Sequence, residues 1–337
     1  MKKTVLIAVA AAVALFFGAC HKDGKYNPKQ KISKIYSEYY STSAYRDYEE
    51  TWRYDTVSSP KTLDEEWTWD GNKLAKITYI GYDIRNGVRV PANDDVTFTY
   101  DGNQLVEVNS VDGRMVLTYD GRKLEKAEIY YTGPVLLKGS ETPSCTITFT
   151  YEGKKIVRMT TVSEEYYWVD GVKGNRMINL LMQSVMPDAE AVQRTMATAC
   201  EMVRKAGTKG TMTTVVDLTW DGDNVSKVTE SVNGIGVVST IEYSYDNKKN
   251  PLQGFLGIIF DATEVTDGGV FCNKNNVVRM FERSSMFNKN EIGTYEVNYT
   301  YTYDGDWPTS RTRARSYGSE AEGYYGNSRN TMFFEYK

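Results

Sequence analysis

The chain has 337 residues, 41% of them hydrophobic, enough for one large β domain or two smaller ones with a sizeable core. Its 40 basic and 44 acidic residues leave a formal net charge of −4, without the concentrated positive footprint that phosphate binding needs, so nucleic acid is excluded as a partner. The one histidine, His21, excludes Ser-His-Asp and Cys-His machinery and His-rich zinc sites, and no P-loop, HExxH or GxSxG occurs.

Residues 1–20 read as a targeting segment. Lys2-Lys3 form a basic n-region, Val5 to Phe17 a short apolar run, and small Gly18-Ala19 precede Cys20. Cys20 in that setting resembles the lipobox of bacterial lipoproteins, with Phe17 where an aliphatic residue is usual. The resemblance implies cleavage before Cys20 and acylation of that cysteine, with each buried methylene of the acyl chains adding about 0.8 kcal/mol of membrane affinity. The mature chain then carries 38 basic and 44 acidic residues, a net of −6, because only Lys2 and Lys3 are lost. Residues 21–30 are polar and without periodicity, a tether. Lys22-Asp23 resembles the export signal of some surface-displayed Bacteroidetes lipoproteins, which implies an outer-membrane protein facing outward.

Ile32 to Tyr36 begins the folded part. Residues 43–66 are polar and aromatic around Ser58-Ser59-Pro60, which predicts a long loop between edge strands. Residues 96–127 then hold two copies of a small unit: an alternating strand, an Asp-Gly turn and a second strand. In Val96-Thr97-Phe98-Thr99-Tyr100 the apolar residues fall at every second position, as in a half-buried strand. Asp101-Gly102 tolerates the positive φ that tight hairpins demand. The signature recurs at Trp69-Asp70-Gly71, Tyr119-Asp120-Gly121, Tyr151-Glu152-Gly153 and Trp220-Asp221-Gly222, with weaker copies at Tyr245-Asp246-Asn247 and Tyr303-Asp304-Gly305. Its consensus is aromatic, acid, Gly, polar, polar, aliphatic. Asp101 to Asp120 is 19 residues and Asp70 to Asp101 is 31, too irregular for a solenoid. The reading is hairpins of variable length in one sheet.

Residues 174–208 change character. Met177, Leu180, Leu181 and Val185 fit one helical face; Pro187 suits a helix start; Val192, Met196, Ala199 and Val203 recur at helical spacing before Gly207. This predicts a helical insertion that plugs an end of the sheet, or else offers a methionine-rich lid or partner groove. Strand patterning returns from 211 to the end, broken by Asn250-Pro251 and a short turn or helix over 252–262. Cys145, Cys200 and Cys272 remain after processing. Buried unpaired thiols suit them better than a disulfide, for which strand-borne Cys145 and Cys272 would be the pair.

The repeated aromatic-Asp-Gly units resemble YD/RHS-type repeats without their fixed period. Together with the lipoprotein signal and YDNKKNPL at 245–252, they are more closely similar to a family of uncharacterised Bacteroidetes lipoproteins with a porin-like fold. That resemblance implies an all-β, antiparallel meander of Asp-Gly hairpins, curled toward or into a barrel, and brings no catalytic residue and no cofactor. The chain's own pattern argues against a pore. Its non-core strand positions are Thr, Ser, Lys and Glu rather than an apolar lipid-facing band, and it ends Phe333-Phe334-Glu335-Tyr336-Lys337 without a terminal aromatic.

Carboxylate pairs are the remaining route to catalysis, since glycoside hydrolysis needs only two acids at a fixed separation. Asp64-Glu65-Glu66, Asp94-Asp95 and Glu164-Glu165 are the candidates, but neighbours on a strand point to opposite faces. Asp-rich turns such as 221–224 and 304–306 do not match an EF-hand calcium loop, so no metal is expected. The aromatic clusters Tyr166-Tyr167-Trp168, Trp67-Thr68-Trp69 and Tyr324-Tyr325 offer ring faces for stacking against sugars, although Trp67 and Trp69 share a face and read as core. Tyr166 and Trp168 share a face and are the candidate ligand-binding residues. The expectation is a lipid-anchored envelope protein with one β domain over 31–337, non-catalytic, binding a glycan or a surface protein. A polysaccharide hydrolase using two carboxylates and a scaffold subunit of a surface complex are the alternatives.

Overall fold

The computed structural model describes residues 28–46, 51–85, 88–111, 113–131, 142–143, 145–163, 212–254, 273–285, 292–319 and 324–337. Its strands are β1 (Ile32–Arg46), β2 (Trp52–Asp70), β3 (Lys73–Tyr79), β4 (Tyr82–Arg85), β5 (Val88–Pro91), β6 (Asp94–Asp101), β7 (Gln104–Ser110), β8 (Gly113–Asp120) and β9 (Lys123–Tyr131). They continue as β10 (Cys145–Glu152), β11 (Lys155–Ser163), β12 (Met212–Asp221), β13 (Asn224–Val232), β14 (Gly236–Lys249), β15 (Asn275–Ser285), β16 (Ile292–Asp304), β17 (Trp307–Ser319) and β18 (Tyr324–Tyr336). Sixteen of these close into one antiparallel barrel in chain order, sealed by β1 against β18, while β4 and β5 form a separate two-stranded ribbon.

The repeating unit is a hairpin with a built-in bulge. Asp101 pairs with Gln104 around the turn and Tyr100 pairs with Leu105, but Thr99 pairs with Glu107, so Val106 is an extra residue. The same shift follows the turns of β2–β3, β8–β9, β10–β11, β12–β13 and β16–β17. Its consequence is visible in the sequence. Leu105 and Val108, three residues apart, both point inward and are fully buried, as are Leu74 with Ile77, Ile156 with Met159 and Val225 with Val228. A regular strand would send residues three apart to opposite faces; the bulge restores them to one.

At four of the bulged hairpins the aromatic residue before the turn is a staple. Tyr119 donates its hydroxyl proton to the Leu105 carbonyl at 2.7 Å, Tyr151 to Leu124 at 2.8 Å, and Trp220 its indole proton to Ile156 at 2.7 Å. Trp69, Tyr301 and Tyr336 make equivalent bonds to Ile32, Val277 and Pro308. Each links one hairpin to the strand before it. The aromatic ring packs half-buried against the core and its polar end is satisfied by a neighbouring backbone carbonyl.

Inside and outside have opposite chemistry. The buried apolar side chains, drawn from strands around the whole barrel, form one cluster in the interior. The outer face carries ion pairs such as Lys34–Glu66, Lys76–Asp95 and Arg158–Asp217, with threonines between them. This is the reverse of a lipid-facing barrel, which turns its apolar residues outward. Among the described residues no helix is long and apolar enough to cross a membrane, a fact that does not bear on β-barrels.

Two expectations need correction. Residues 43–66 are not a loop: β1 runs to Arg46 and β2 starts at Trp52, making one long hairpin. Pro60 is accommodated because the register shifts between Ser37 and Tyr39, leaving it outside the paired positions. Nor does the chain turn at Asp246-Asn247. β14 continues to Lys249, and Asp246 accepts hydrogen bonds from the Lys248 and Asn276 backbone, the Asn276 amide and the Tyr303 hydroxyl. Cys145 is a buried free thiol, as expected, and burial pushes it up to about 12. The leader with Cys20, the helical stretch 174–208, Tyr166, Trp168, Cys200 and Cys272 lie outside the described residues.

Candidate site on the outer face of the long strands

Strand length divides the barrel into two walls. β3 and β6 to β13 have 7–10 residues, whereas β14 to β18, β1 and β2 have 11–19. On the long wall β15 to β1 line a trough with a volume of about 860 Å³, mostly with their outward side chains, although Tyr295, Arg315 and Ser328 are also among its lining. A second trough of about 650 Å³ continues it over β1 to Ser58 and Ser59 of β2, and the two share Tyr40 and Arg329.

The trough follows from residue size. Large side chains stand at its two sides, Phe281 on β15 and Tyr40 on β1. Between them β16, β17 and β18 contribute Thr294, Asn298, Ala314, Ser316 and Asn327, which are small or carry hydroxyl and amide groups. Four inter-strand spacings separate the walls, about 19 Å. Tyr40 is 49% exposed. Phe281 is held in place from both sides, with the Arg279 and Arg283 guanidinium carbons 5.3 and 4.6 Å from its ring centroid.

Charge is mostly neutralised there. Arg279 grips Glu296 with two hydrogen bonds, at 2.8 and 3.1 Å, and holds that carboxyl below its ordinary range. Arg283 meets Glu242 at 3.3 Å. Arg329 sits opposite Tyr40 on one side and Ala314 on the other, exposed and, among the described residues, with no acidic side chain in ion-pair range. Glu38, two residues along β1 from Tyr40, lines the second trough. An aromatic wall at each side of a hydroxyl- and amide-rich floor on a rigid sheet can stack apolar ring faces and hydrogen-bond the groups around them.

The interior is polar where the walls meet. Glu230 of β13 is 1% exposed, and neither carboxylate oxygen has a hydrogen-bond partner. Burial, and secondarily the nearby Glu282, pushes it up to about 8. Ser239 donates to Glu282 at 3.1 Å. Glu65, also fully buried, takes the Trp67 indole proton at 2.6 Å and is likewise pushed up to about 8 by burial. On β17 the alternate residues Arg311, Arg313 and Arg315 point inward: Arg313 donates to the Tyr295 hydroxyl at 2.6 Å and Arg315 lies 4.9 Å from the Tyr295 ring.

Of the residues singled out from sequence, Trp67 and Trp69 are core, 4% and 9% exposed. Tyr324 is exposed at the end of β18, and Tyr325 packs edge-on to Trp52 at 5.3 Å. The acidic run divides as strand geometry requires, with Glu65 inside and Glu66 outside against Lys34. Asp95 pairs with Lys76 and Thr78. Neither of the trough's acids forms a dyad: Glu296 is bound by Arg279, and Glu38 lies beyond Tyr40. Glu164-Glu165 are outside the described residues. Sequence reading missed Tyr40, Phe281 and Arg329. The available signal was β17 itself, where Thr312, Ala314 and Ser316 alternate with three arginines. Alternation marks two faces and does not say which is inward, and polarity alone points to the wrong one.

No protein-family model matches the chain, and no curated protein matches it by sequence. Among solved structures, it is similar to a porin-like protein from Bacteroides uniformis, with 9% identity over 91% of this chain and 98% of that one and a TM-score of 0.45. It is also similar to a porin-like protein from Bacteroides vulgatus, with 10% identity over 92% of this chain and 99% of that one and a TM-score of 0.43. The closed barrel described above rests on this chain's own strand pairing.

Proposed function

We propose that the chain is a lipid-anchored protein of the bacterial envelope whose barrel binds a glycan, without catalysis, along the outer trough of β15 to β1. The observation that carries this reading is the trough itself, in which two aromatic walls stand about four strand spacings apart over a floor of threonine, serine and asparagine. A polar, ion-paired outer face suits a domain held beside the membrane by an acyl chain on Cys20 rather than one embedded in it. The lipobox-like leader supports the anchor, and Lys22-Asp23 after it supports display of the domain at the outer-membrane surface.

A glycan array with the purified protein tests the reading. Binding is expected to at least one polysaccharide, and Tyr40→Ala and Phe281→Ala are expected each to weaken it by about tenfold while leaving the far-ultraviolet spectrum unchanged. Binding that survives both substitutions would move the site elsewhere, with Tyr166 and Trp168 next to be changed. Membrane fractionation of Cys20→Ala tests the anchor separately; the variant is expected in the soluble fraction.

A further inference from the structure

Resting on the glycan reading, we propose that the trough takes an acidic polysaccharide, with a uronic acid carboxylate seated on Arg329. The argument comes from which arginines on this wall are already engaged. Of the described arginines that point outward from β15 to β18, Arg279 and Arg283 are tied to Glu296 and Glu242 and brace Phe281. Arg329 has no such partner.

Its position is as telling as its freedom. Arg329 is shared by the two troughs, so it stands at the middle of the continuous path from Phe281 to Ser58. Its cross-strand neighbours are Tyr40 on β1 and Ala314 on β17. The alanine leaves room beside the guanidinium, and the tyrosine offers a ring face for the sugar that carries the anion. A guanidinium presents paired donors matched to the two oxygens of a planar carboxylate. With Glu296 already neutralised by Arg279, Glu38 is the trough's remaining acid, two residues from Tyr40 on the β2 side. An acidic sugar is therefore held at the centre, and its neighbour toward β2 is favoured when uncharged.

The test compares polygalacturonate with a neutral galactan, and adds heparin as a sulfated probe, all against the purified full chain. Polygalacturonate is expected to bind more tightly than galactan and to weaken as salt rises. Arg329→Gln is expected to weaken polygalacturonate by about tenfold and remove most of the salt dependence, leaving galactan unchanged. Glu38→Gln is expected to tighten polygalacturonate. Galactan binding with no preference for polygalacturonate, or a preference that Arg329→Gln leaves intact, would overturn the proposal while the glycan reading stands. Heparin binding that depends on Arg329, without polygalacturonate binding, would overturn the carboxylate and put a sulfate ester in its place. Silence from all three probes would overturn the proposal, and only silence across the glycan array as well would overturn the reading on which it rests.

Discussion

The short wall and the long wall are built from one repeated hairpin, yet they use it differently. From β6 to β13 the unit recurs with its turn glycine, its bulge and its inward aliphatic pair, with an aromatic staple at Tyr119, Tyr151 and Trp220, and nearly every inward residue is apolar. From β14 onward the strands lengthen, three inward positions of β17 become arginine, and the outer face acquires two aromatic walls. Folding explains the first pattern completely. It does not require the second, since buried charge stabilises less than the apolar packing it displaces. Features that the fold does not need are where function is sought.

The largest expected effect separates the walls. Met159 is fully buried in the short wall, and Met159→Ala should cost about 3 kcal/mol through lost burial and a residual cavity. Tyr40→Ala on the long wall should cost about 0.5 kcal/mol or less, because half the side chain is already in water. Urea unfolding of both variants measures the two. Equal losses would mean that the outer wall is structural and would break the contrast.

Next in size is the seam between the walls. Glu230 has a folded-state value of about 8 against an ordinary 4.5. Between those values the folded protein keeps a proton that the unfolded chain releases. Its contribution is therefore fully present below about pH 4.5, is lost as pH rises toward 8 and is flat above that. The slope for one such proton is at most about 1.4 kcal/mol per pH unit. Glu65 acts in the same direction. The urea midpoint of the native protein should fall between pH 5 and pH 8, and Glu230→Gln should reduce that fall by about 2 kcal/mol. A midpoint that does not fall over this range would place a cation beside Glu230.

The staple is common to both walls, which makes it the control. Tyr119→Phe in the short wall and Tyr301→Phe in the long wall each remove one hydrogen bond to a backbone carbonyl, and each should cost about 1 kcal/mol. A much smaller loss at Tyr301 would show that the long wall is held by something besides the repeat.

How much of this was legible depended on whether local sequence decided the matter. The hairpins were, because Asp-Gly and a period of two are local signals, and so was the burial of Trp67 and Trp69; the curl into a barrel came only as what the family resemblance implies. The bulge was written as aliphatic pairs three residues apart, a spacing at odds with a flat strand. The trough was not legible. It depends on Tyr40 and Phe281, more than 200 residues apart in sequence, being brought to opposite sides of three strands with small side chains. It depends also on which face of β17 is inward. The continuation of β14 past Asp246 was hidden because Tyr-Asp-Asn reads as a turn, while the carboxylate is fixed by Asn276 and Tyr303 from distant strands.

The smallest effect, at Lys155, is set against the turn glycine and tests the grammar of the turn itself. At each of the six bulged hairpins the first turn residue is glycine: Gly71, Gly102, Gly121, Gly153, Gly222 and Gly305, each with φ between 54° and 60°. The residue that closes the turn varies, being Lys73, Gln104, Lys123, Lys155, Asn224 and Trp307. Where it is lysine it can reach the next hairpin: Lys155 donates to the Gly222 carbonyl and sits 5.3 Å from the Trp220 ring centroid. That contact is exposed to water, and Lys155→Met should cost only about 0.5 kcal/mol. Gly222→Ala meets no atom within 4 Å, yet it puts a side chain on left-handed backbone at a cost of about 1–2 kcal/mol. The order of these two losses, read by urea unfolding at neutral pH, should match the order in which the repeat tolerates variation. A Lys155→Met loss larger than that of Gly222→Ala would mean that the clamp between hairpins, rather than the turn, sets the spacing of the barrel.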